Sequence, residues 1–296
     1  MTKIAFERRP NVYLPELTAY KRYVEKNMPG FSAFDSADVD GYDPMDFDIV
    51  WRFMGLDTKG TGRRVIHEYN SLSTGNFARF KNAVKQTLNA RPYARVFLNE
   101  TVRKGFFFPD SVPFRCRDMG IDLSFFQKRE AAPEYDFIYA GSLNRGDSIL
   151  SVLEHFKTTL KTASLLVVGN VSGEIHERYG AAKNIVFTGR VPHAEVSALM
   201  AKARYGLNLM PDRYPFNLQT ATKVLEYCAA GLPVVSTDYR WIREFERNRK
   251  AKFFLLDGNL ENLTLENLKN FPFQIPNVDD CEWGRVIEQS RVFDLL

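Results

Sequence analysis

TATKVLEYCAAGLPVVSTD, residues 220–238, reads as a helix, a stop and a buried strand. Leu225, Cys228 and Ala229 fall on one helical side, while Lys223 and Glu226 stand at i, i+3 on another. Gly231 is the residue that closes such a helix in a left-handed turn. Residues 232–236 are almost wholly apolar, as a strand covered on both faces must be. A helix followed at once by such a strand belongs to a parallel α/β sheet. Ligands of these sheets bind beyond the carboxyl ends of the strands. The helix begins just beyond such an end, at Met210 and Pro211, where free N–H groups and the positive dipole end attract phosphate. Lys223 would add a point charge for a diphosphate. Glu226, one turn on, would accept two hydrogen bonds from a vicinal diol such as a ribose. In isolation the same pair also reads as a surface ion pair.

The alternation extends in both directions. Strands are expected at 136–140, 164–168, 184–187, 205–210 and 252–256, with helices at 148–160, 174–179, 194–204, 240–248 and 283–293. Toward the N-terminus, strands are expected at 3–7, 47–53, 63–69 and 95–98, with helices at 15–27 and 76–89 and a short one at 101–107. The helix at 76–89 has Phe77, Phe80, Val84 and Leu88 on one face. Residues 31–44 read as a polar, Asp-rich loop. The polar stretch QKREAAPE at 127–134 interrupts the pattern and reads as a linker. Domains are therefore expected at 1–128 and 129–280, followed by a C-terminal helix at 281–296.

Composition agrees with two domains and excludes other classes. The chain has 296 residues, and domains typically hold roughly 100–200. It is 45% hydrophobic and 26% charged, which excludes a disordered chain. Its net charge of +4 is too mild for a dedicated nucleic-acid binder, so no nucleic acid is expected as a partner. Residues 1–125 carry 19 basic and 15 acidic side chains, and residues 126–296 carry 21 of each. No apolar run is long enough to span a membrane, and the start, MTKIAFERRPNVY, has no apolar signal core. Cys116, Cys228 and Cys281 form neither a metal-ligand spacing nor a disulfide framework. A cytoplasmic setting is expected.

The residues then resemble a known family. Lys223, Glu226, Tyr227, Ala229, Ala230, Gly231, Pro233, Val234, Val235 and Ser236 follow the signature of the donor-binding half of GT-B glycosyltransferases, especially the large group-1 type. In order along the chain, the resemblance also takes in Asn99-Glu100, Gly120-Ile121-Asp122, Tyr139-Ala140-Gly141 with Arg145-Gly146, Val168-Gly169, Thr188-Gly189-Arg190-Val191 and Asn208-Leu209-Met210-Pro211. It implies a GT-B architecture of two Rossmann-like domains facing a cleft, with a C-terminal helix that can cross back to the first domain, and transfer of a sugar from a nucleotide-sugar to a glycan, lipid-linked or other acceptor, in surface polysaccharide or glycoconjugate assembly. It also implies roles. Arg145, Thr222 and Lys223 would hold the donor diphosphate and Glu226 the ribose, while Arg190 and Val191 would meet the base. Phe216, Asn217, Leu218 and Gln219 would lie against the donor sugar. No metal or other cofactor is implied.

Two positions depart from the pattern. Many family members carry a glutamate eight residues before the second one, where this chain has Leu218. Aligning Pro215-Phe216 with the family's Pro-Phe-Gly puts Tyr214 there instead. The glycine-rich loop after the first strand is replaced by Glu7-Arg8-Arg9-Pro10. Candidate acceptor bases are Glu7, His67 and Glu68, each placed at or near a strand end; a packed strand end is the other reading for the last two. His193 is set apart from the remaining histidines only because it follows the base-contact loop. Arg103-Lys104-Gly105-Phe106-Phe107-Phe108 reads either as a peripheral contact with the inner membrane face or as a helix end whose phenylalanines enter the core. A nucleotide-sugar epimerase of the same two-domain shape and a catalytically inactive nucleotide-sugar-binding or partner subunit stand as alternatives.

Overall fold

The protein is described here by a computed structural model covering residues 1–8, 14–127, 132–141, 143 and 147–296. It divides into two units, Met1–Gly120 with Asp280–Leu296, and Ile121–Asp279.

The first unit contains β1 (Thr2–Glu7), α1 (Pro15–Asn27), β2 (Phe31–Asp35), β3 (Ile49–Phe53), β4 (Val65–Tyr69), α2 (Ala78–Leu88), β5 (Ala94–Phe97), α3 (Glu100–Gly105) and β6 (Phe114–Cys116). Its six strands are parallel and ordered β2-β1-β3-β4-β5-β6, so the order reverses between β1 and β3. The two faces of this sheet differ. Ile4, Phe6, Ile49, Trp51, Ile66, Ala94 and Val96 form an apolar face, packed by Leu17, Tyr20 and Val24 of α1 and by Trp283 and Ile287 of the C-terminal helix Trp283–Ser290. Rings of Phe6, Tyr20, Trp51 and Phe293 meet there at centroid distances of 5.0–5.7 Å. Trp283 lies against Gly120, where an added Cβ would stand 2.3 Å from the indole. The other face carries Glu7, Arg52, His67 and Arg95, which are in register on four adjacent strands. Its cover is thin because the connections before and after β3 contain no α-helix, only loops and two 3-10 turns.

The second unit contains β7 (Tyr135–Ala140), α4 (Asp147–Thr158), β8 (Leu165–Val168), α5 (Gly173–Tyr179), β9 (Ile185–Gly189), α6 (His193–Ala201), β10 (Ala203–Asn208), α7 (Thr222–Ala229), β11 (Val234–Thr237), α8 (Arg240–Arg249), β12 (Phe254–Leu256) and α9 (Leu265–Asn270). Its parallel sheet runs β12-β11-β10-β7-β8-β9, the Rossmann order, reversing between β7 and β10. One core joins Phe137, Tyr139, Leu165, Val167, Leu207 and Val235 of the sheet to Val152 and Phe156 of α4 and Leu268 of α9. α7 is drawn onto the sheet by Tyr227. Its ring covers Gly206, where an added Cβ would come within 2.5 Å. Its hydroxyl accepts from Ala140 N at 3.2 Å and donates to Leu207 O at 3.1 Å. Leu225 and Cys228 are buried with it.

Three elements depart from the sequence reading. Phe31–Asp35, expected as loop, is β2, and β6 and α9 stand where no element is expected. Both strands are sheet edges, paired on one side only. An edge strand has no need of the doubly apolar pattern that marks a central one. Among the described residues, no helix is long and apolar enough to cross a membrane.

Candidate functional site

The order reversal between β7 and β10 is where a doubly wound sheet opens to a ligand. β7 runs out at Ala140, and Gly141 turns the chain at φ +142°, a conformation L side chains rarely adopt. A Cβ at Gly141 would stand 2.4 Å from Cε and 2.6 Å from Nζ of Lys223. The absence of a side chain there is what lets the lysine lie across the strand end. Its Nζ is 5.0 Å from the Tyr139 ring centroid. Thr222 and Lys223 open α7, whose N-cap, Ala221, offers no side-chain cap. Val224 N and Leu225 N both turn to Ala221 O. The N–H groups of Thr222 and Lys223 precede the first intrahelical bonds and lie at the positive end of the helix dipole. Such a set of donors is of the kind that attracts an anion. Arg145 lies outside the described residues.

Glu226 is buried on the next turn of α7, and His193 Nε2 stands 3.1 Å from its Oε1. His193 begins α6 and packs on Phe125 at 5.1 Å between centroids. Arg190, exposed, and Val191, half-buried, follow Gly189 and precede His193, so the loop after β9 and the carboxylate are joined through one imidazole.

The loop after β10 is fastened at its start and braced within. Met210 N donates to Thr237 Oγ1 at 2.9 Å, and Thr237 Oγ1 donates back to Met210 O at 2.7 Å. Asn217 Nδ2 donates to Asp212 Oδ1 at 2.9 Å. Phe216, Asn217 and Leu218 form a 3-10 turn, and Gln219 leads from it toward α7. Asn217 Oδ1 and Gln219 Nε2 are buried with no hydrogen-bond partner. A buried acceptor and a buried donor left open cost free energy unless a ligand satisfies them. Sugar hydroxyls, which both donate and accept, would do so.

In the first unit the three candidate bases have different surroundings. Glu7 ends β1 beside the order reversal and keeps a side-chain exposure of 34%. It accepts from Arg52 Nε at 2.9 Å and from Tyr42 OH at 3.2 Å. Arg52 reaches on to Asp57, which stands 3.0 Å from His67 Nε2. His67 is therefore the inner end of a chain running Tyr42, Glu7, Arg52, Asp57, His67, and it is fully buried. Glu68 points to the opposite face and is also fully buried. It is ion-paired with Arg117 and accepts from Trp51 Nε1 at 2.7 Å. Arg117 further donates to Tyr20 OH at 2.7 Å and to Asn70 Oδ1 at 3.0 Å. With no exposed atom and its oxygens engaged, Glu68 is a structural charge, not an acceptor base. The strand alternation put successive residues His67 and Glu68 on opposite faces, and neither face leaves them in contact with solvent.

Burial pushes the His67 pKa down to about 4, against the pull of the Asp57 carboxylate. Its unfolded value is about 6.5. Unfolding therefore takes up a proton between those limits, and the neutral buried ring contributes stability that is complete above about pH 6.5 and lost as the pH falls to about 4, on the order of 3 kcal/mol. Urea melts of the wild type should weaken across that window, and a His67→Phe variant should lack this component. Parallel pH profiles for the two proteins would contradict a neutral buried His67.

Arg52, Asp57 and Tyr42 fall in no motif of the sequence. The register Glu7-Arg52-His67-Arg95 is invisible until the strands are paired. The His193–Glu226 contact had only one signal, the position of the histidine two residues after Val191.

Residues 134–266 match the family described as Glycosyl transferases group 1. Among solved structures, AviGT4, a glycosyltransferase involved in avilamycin A biosynthesis, is similar at a TM-score of 0.59 and 16% identity, covering 100% of this chain and 95% of its own. Anabaena Alr3699/HepE in complex with UDP and glucose is similar at 0.62 and 12% identity, covering 100% and 97%. The UDP-GlcNAc 2-epimerase of Methanocaldococcus jannaschii, in complex with UDP-GlcNAc and UDP, is similar at 0.55 and 11% identity, covering 99% of both chains. At these identities the likeness is one of fold, the two Rossmann-like domains of GT-B proteins. A search of curated protein sequences finds no match.

Proposed function

We propose, from the match of residues 134–266 to the group 1 glycosyl transferases, that the protein moves a sugar from a nucleotide-sugar, bound by the second unit, to a glycan or lipid-linked acceptor, in surface polysaccharide or glycoconjugate assembly. The observation that carries this reading is the Lys223 side chain laid across Gly141 beside the uncapped start of α7. The acceptor oxygen bonds to the anomeric carbon as the bond from that carbon to the diphosphate breaks, with its electrons going to the phosphate oxygen. Lys223 and the N–H groups of Thr222 and Lys223 stabilise that charge where it develops, with no metal needed. Glu226, oriented by His193, holds the ribose, and the loop of Arg190 and Val191 meets the base. Asn217 Oδ1 and Gln219 Nε2 receive the sugar hydroxyls. Of the candidate bases in the first unit, Glu7 alone keeps a partly exposed carboxylate and is the residue this reading assigns to take a proton from the acceptor.

An epimerase of the same fold is the second reading, favoured by the likeness to the Methanocaldococcus protein over the full length of both chains. Against it, the two open polar groups in the sugar loop are amides, which do not exchange protons with a sugar carbon. A thermal-shift screen with UDP-, GDP-, TDP-, ADP- and CMP-sugars tests the reading, followed by product analysis in chelator. One nucleotide-sugar should raise the melting temperature, and its sugar should be transferred or hydrolysed in the chelator. Stabilisation by none, or activity restored only by magnesium or manganese, would contradict the site or the metal-free clamp respectively. A sugar returned as its epimer, still on the nucleotide, would establish the second reading.

A further inference from the structure

α2 is amphipathic, yet it is mounted with its apolar side outward. Phe77, Phe80, Val84 and Leu88 share one side of the helix. Phe77 is 80% exposed, Phe80 67% and Leu88 54%. The side turned to the protein is polar or small: Ala78 and Asn82 are buried, Asn82 Oδ1 accepts from Ser73 N at 2.9 Å, and Asn89, just past the helix, binds Asp57 N at 2.8 Å. Phe107, 77% exposed, adjoins this helix, since its N–H donates to Gln86 Oε1 at 2.8 Å. Of its neighbours in the sequence, Phe106 is buried and Phe108 half-buried, so the aromatic run sends one ring out and keeps two in. Phe77 also sits at φ +61°, where a bulky L residue is strained. Neither burial nor backbone preference accounts for a phenylalanine at that position.

The charge around these rings is mostly basic. Residues 74–109 carry seven basic side chains and one acidic one. Arg79, Lys81 and Lys104 are exposed, and Lys85 is half-buried. A cavity of about 780 Å³ borders Phe107 and is lined in part by Lys104, by Arg103 paired with Glu100, and by Arg95 paired with Asp110.

We propose that this face of the first unit docks on an anionic phospholipid bilayer, with Phe77, Phe80, Leu88 and Phe107 entering the headgroup boundary and Lys81, Lys85 and Lys104 meeting the phosphates. Outward apolar rings within a basic surround are what such a surface recognises. A second copy of the chain fits less well, because a symmetric contact would bring like charges together. The proposal leans on the transferase reading only in that a lipid-linked acceptor would lie at that surface.

Vesicle flotation tests it, with phosphatidylcholine alone and with phosphatidylcholine mixed with phosphatidylglycerol. The wild type should float with the mixed vesicles, less so at high salt, and not with phosphatidylcholine. Phe77→Ser/Phe80→Ser/Leu88→Ser, all at exposed positions, should lose about tenfold or more in partitioning. Lys81→Gln and Lys85→Gln should each lose about fivefold. The idea fails if the wild type does not float, if the triple variant floats equally well, or if sedimentation shows a wild-type dimer that the triple variant dissolves. Calorimetry with the nucleotide-sugar found in the screen should be unchanged in the same variants. If no nucleotide-sugar binds even the wild type, the transferase reading falls while the flotation result still decides the membrane contact.

Discussion

Lys223→Ala is expected to weaken nucleotide-sugar binding by about 10- to 150-fold, the range of a charge-assisted hydrogen bond. The side chain crosses Gly141 at the end of β7, so its removal empties the point where a diphosphate would lie without opening the core. Thermal stability of the free protein should therefore change little. Glu226→Ala should weaken binding as well, but by a different route: it also leaves His193 Nε2 without its carboxylate. His193→Ala separates the two effects, because it keeps the ribose acceptor and removes only its orientation, and should cost less than Glu226→Ala. Titration calorimetry reads all three. Unchanged affinity in both Lys223→Ala and Glu226→Ala would sink the assignment of the donor site to α7.

Arg117→Ala is expected to destabilise the first unit by about 3–5 kcal/mol, since it strands the Glu68 carboxylate in an apolar interior. Trp51 Nε1 would remain as a donor to Glu68, but one neutral donor does not replace a guanidinium. Glu16, itself buried, would lose a second source of compensation. Burial raises its pKa, and the Arg117 charge opposes that rise. A Glu68→Gln/Arg117→Met double variant removes both charges and should recover much of the loss. Urea denaturation followed by Trp fluorescence measures this, because Trp51 lies in the network. The comparison also bears on catalysis. If Glu68→Gln lowered kcat while leaving stability untouched, the carboxylate would be acting on an acceptor after all.

The contrast between these two glutamates shows how far sequence reading reached. Glu226 was legible because a helix of period 3.6 and a neighbouring motif left it one place to be, one turn after Lys223 and beside a strand end. Glu68 stays open in the sequence between an acceptor base and a packed strand end because a strand has two faces, and which of them a helix will cover depends on the connections. Here α1 and the C-terminal helix cover the face that carries Glu68, while loops cover the face that carries His67. β2 and β6 escaped notice for a related reason: edge strands pair on one side and need no doubly apolar run. At α2 the spacing of Phe77, Phe80, Val84 and Leu88 was plain in the sequence, but the side of the helix that would be buried was not. Periodicity reports that an apolar stripe exists and says nothing about what lies against it.

The sequence by itself determined the local and repeating features of this protein: strands alternating with helices, the stop at Gly231, the place of Lys223 and Glu226 on one helix, and the resemblance to a donor-binding half. These follow from short-range spacing and from the few conformations each residue allows. Only the tertiary structure decided which residues share a site. The register that lines up Glu7, Arg52, His67 and Arg95, the imidazole of His193 on Glu226, and the outward face of α2 all depend on pairings between segments far apart in the chain. Such pairings are set by the packing of the whole unit, where burial of one face leaves another to solvent, and no local pattern encodes that choice.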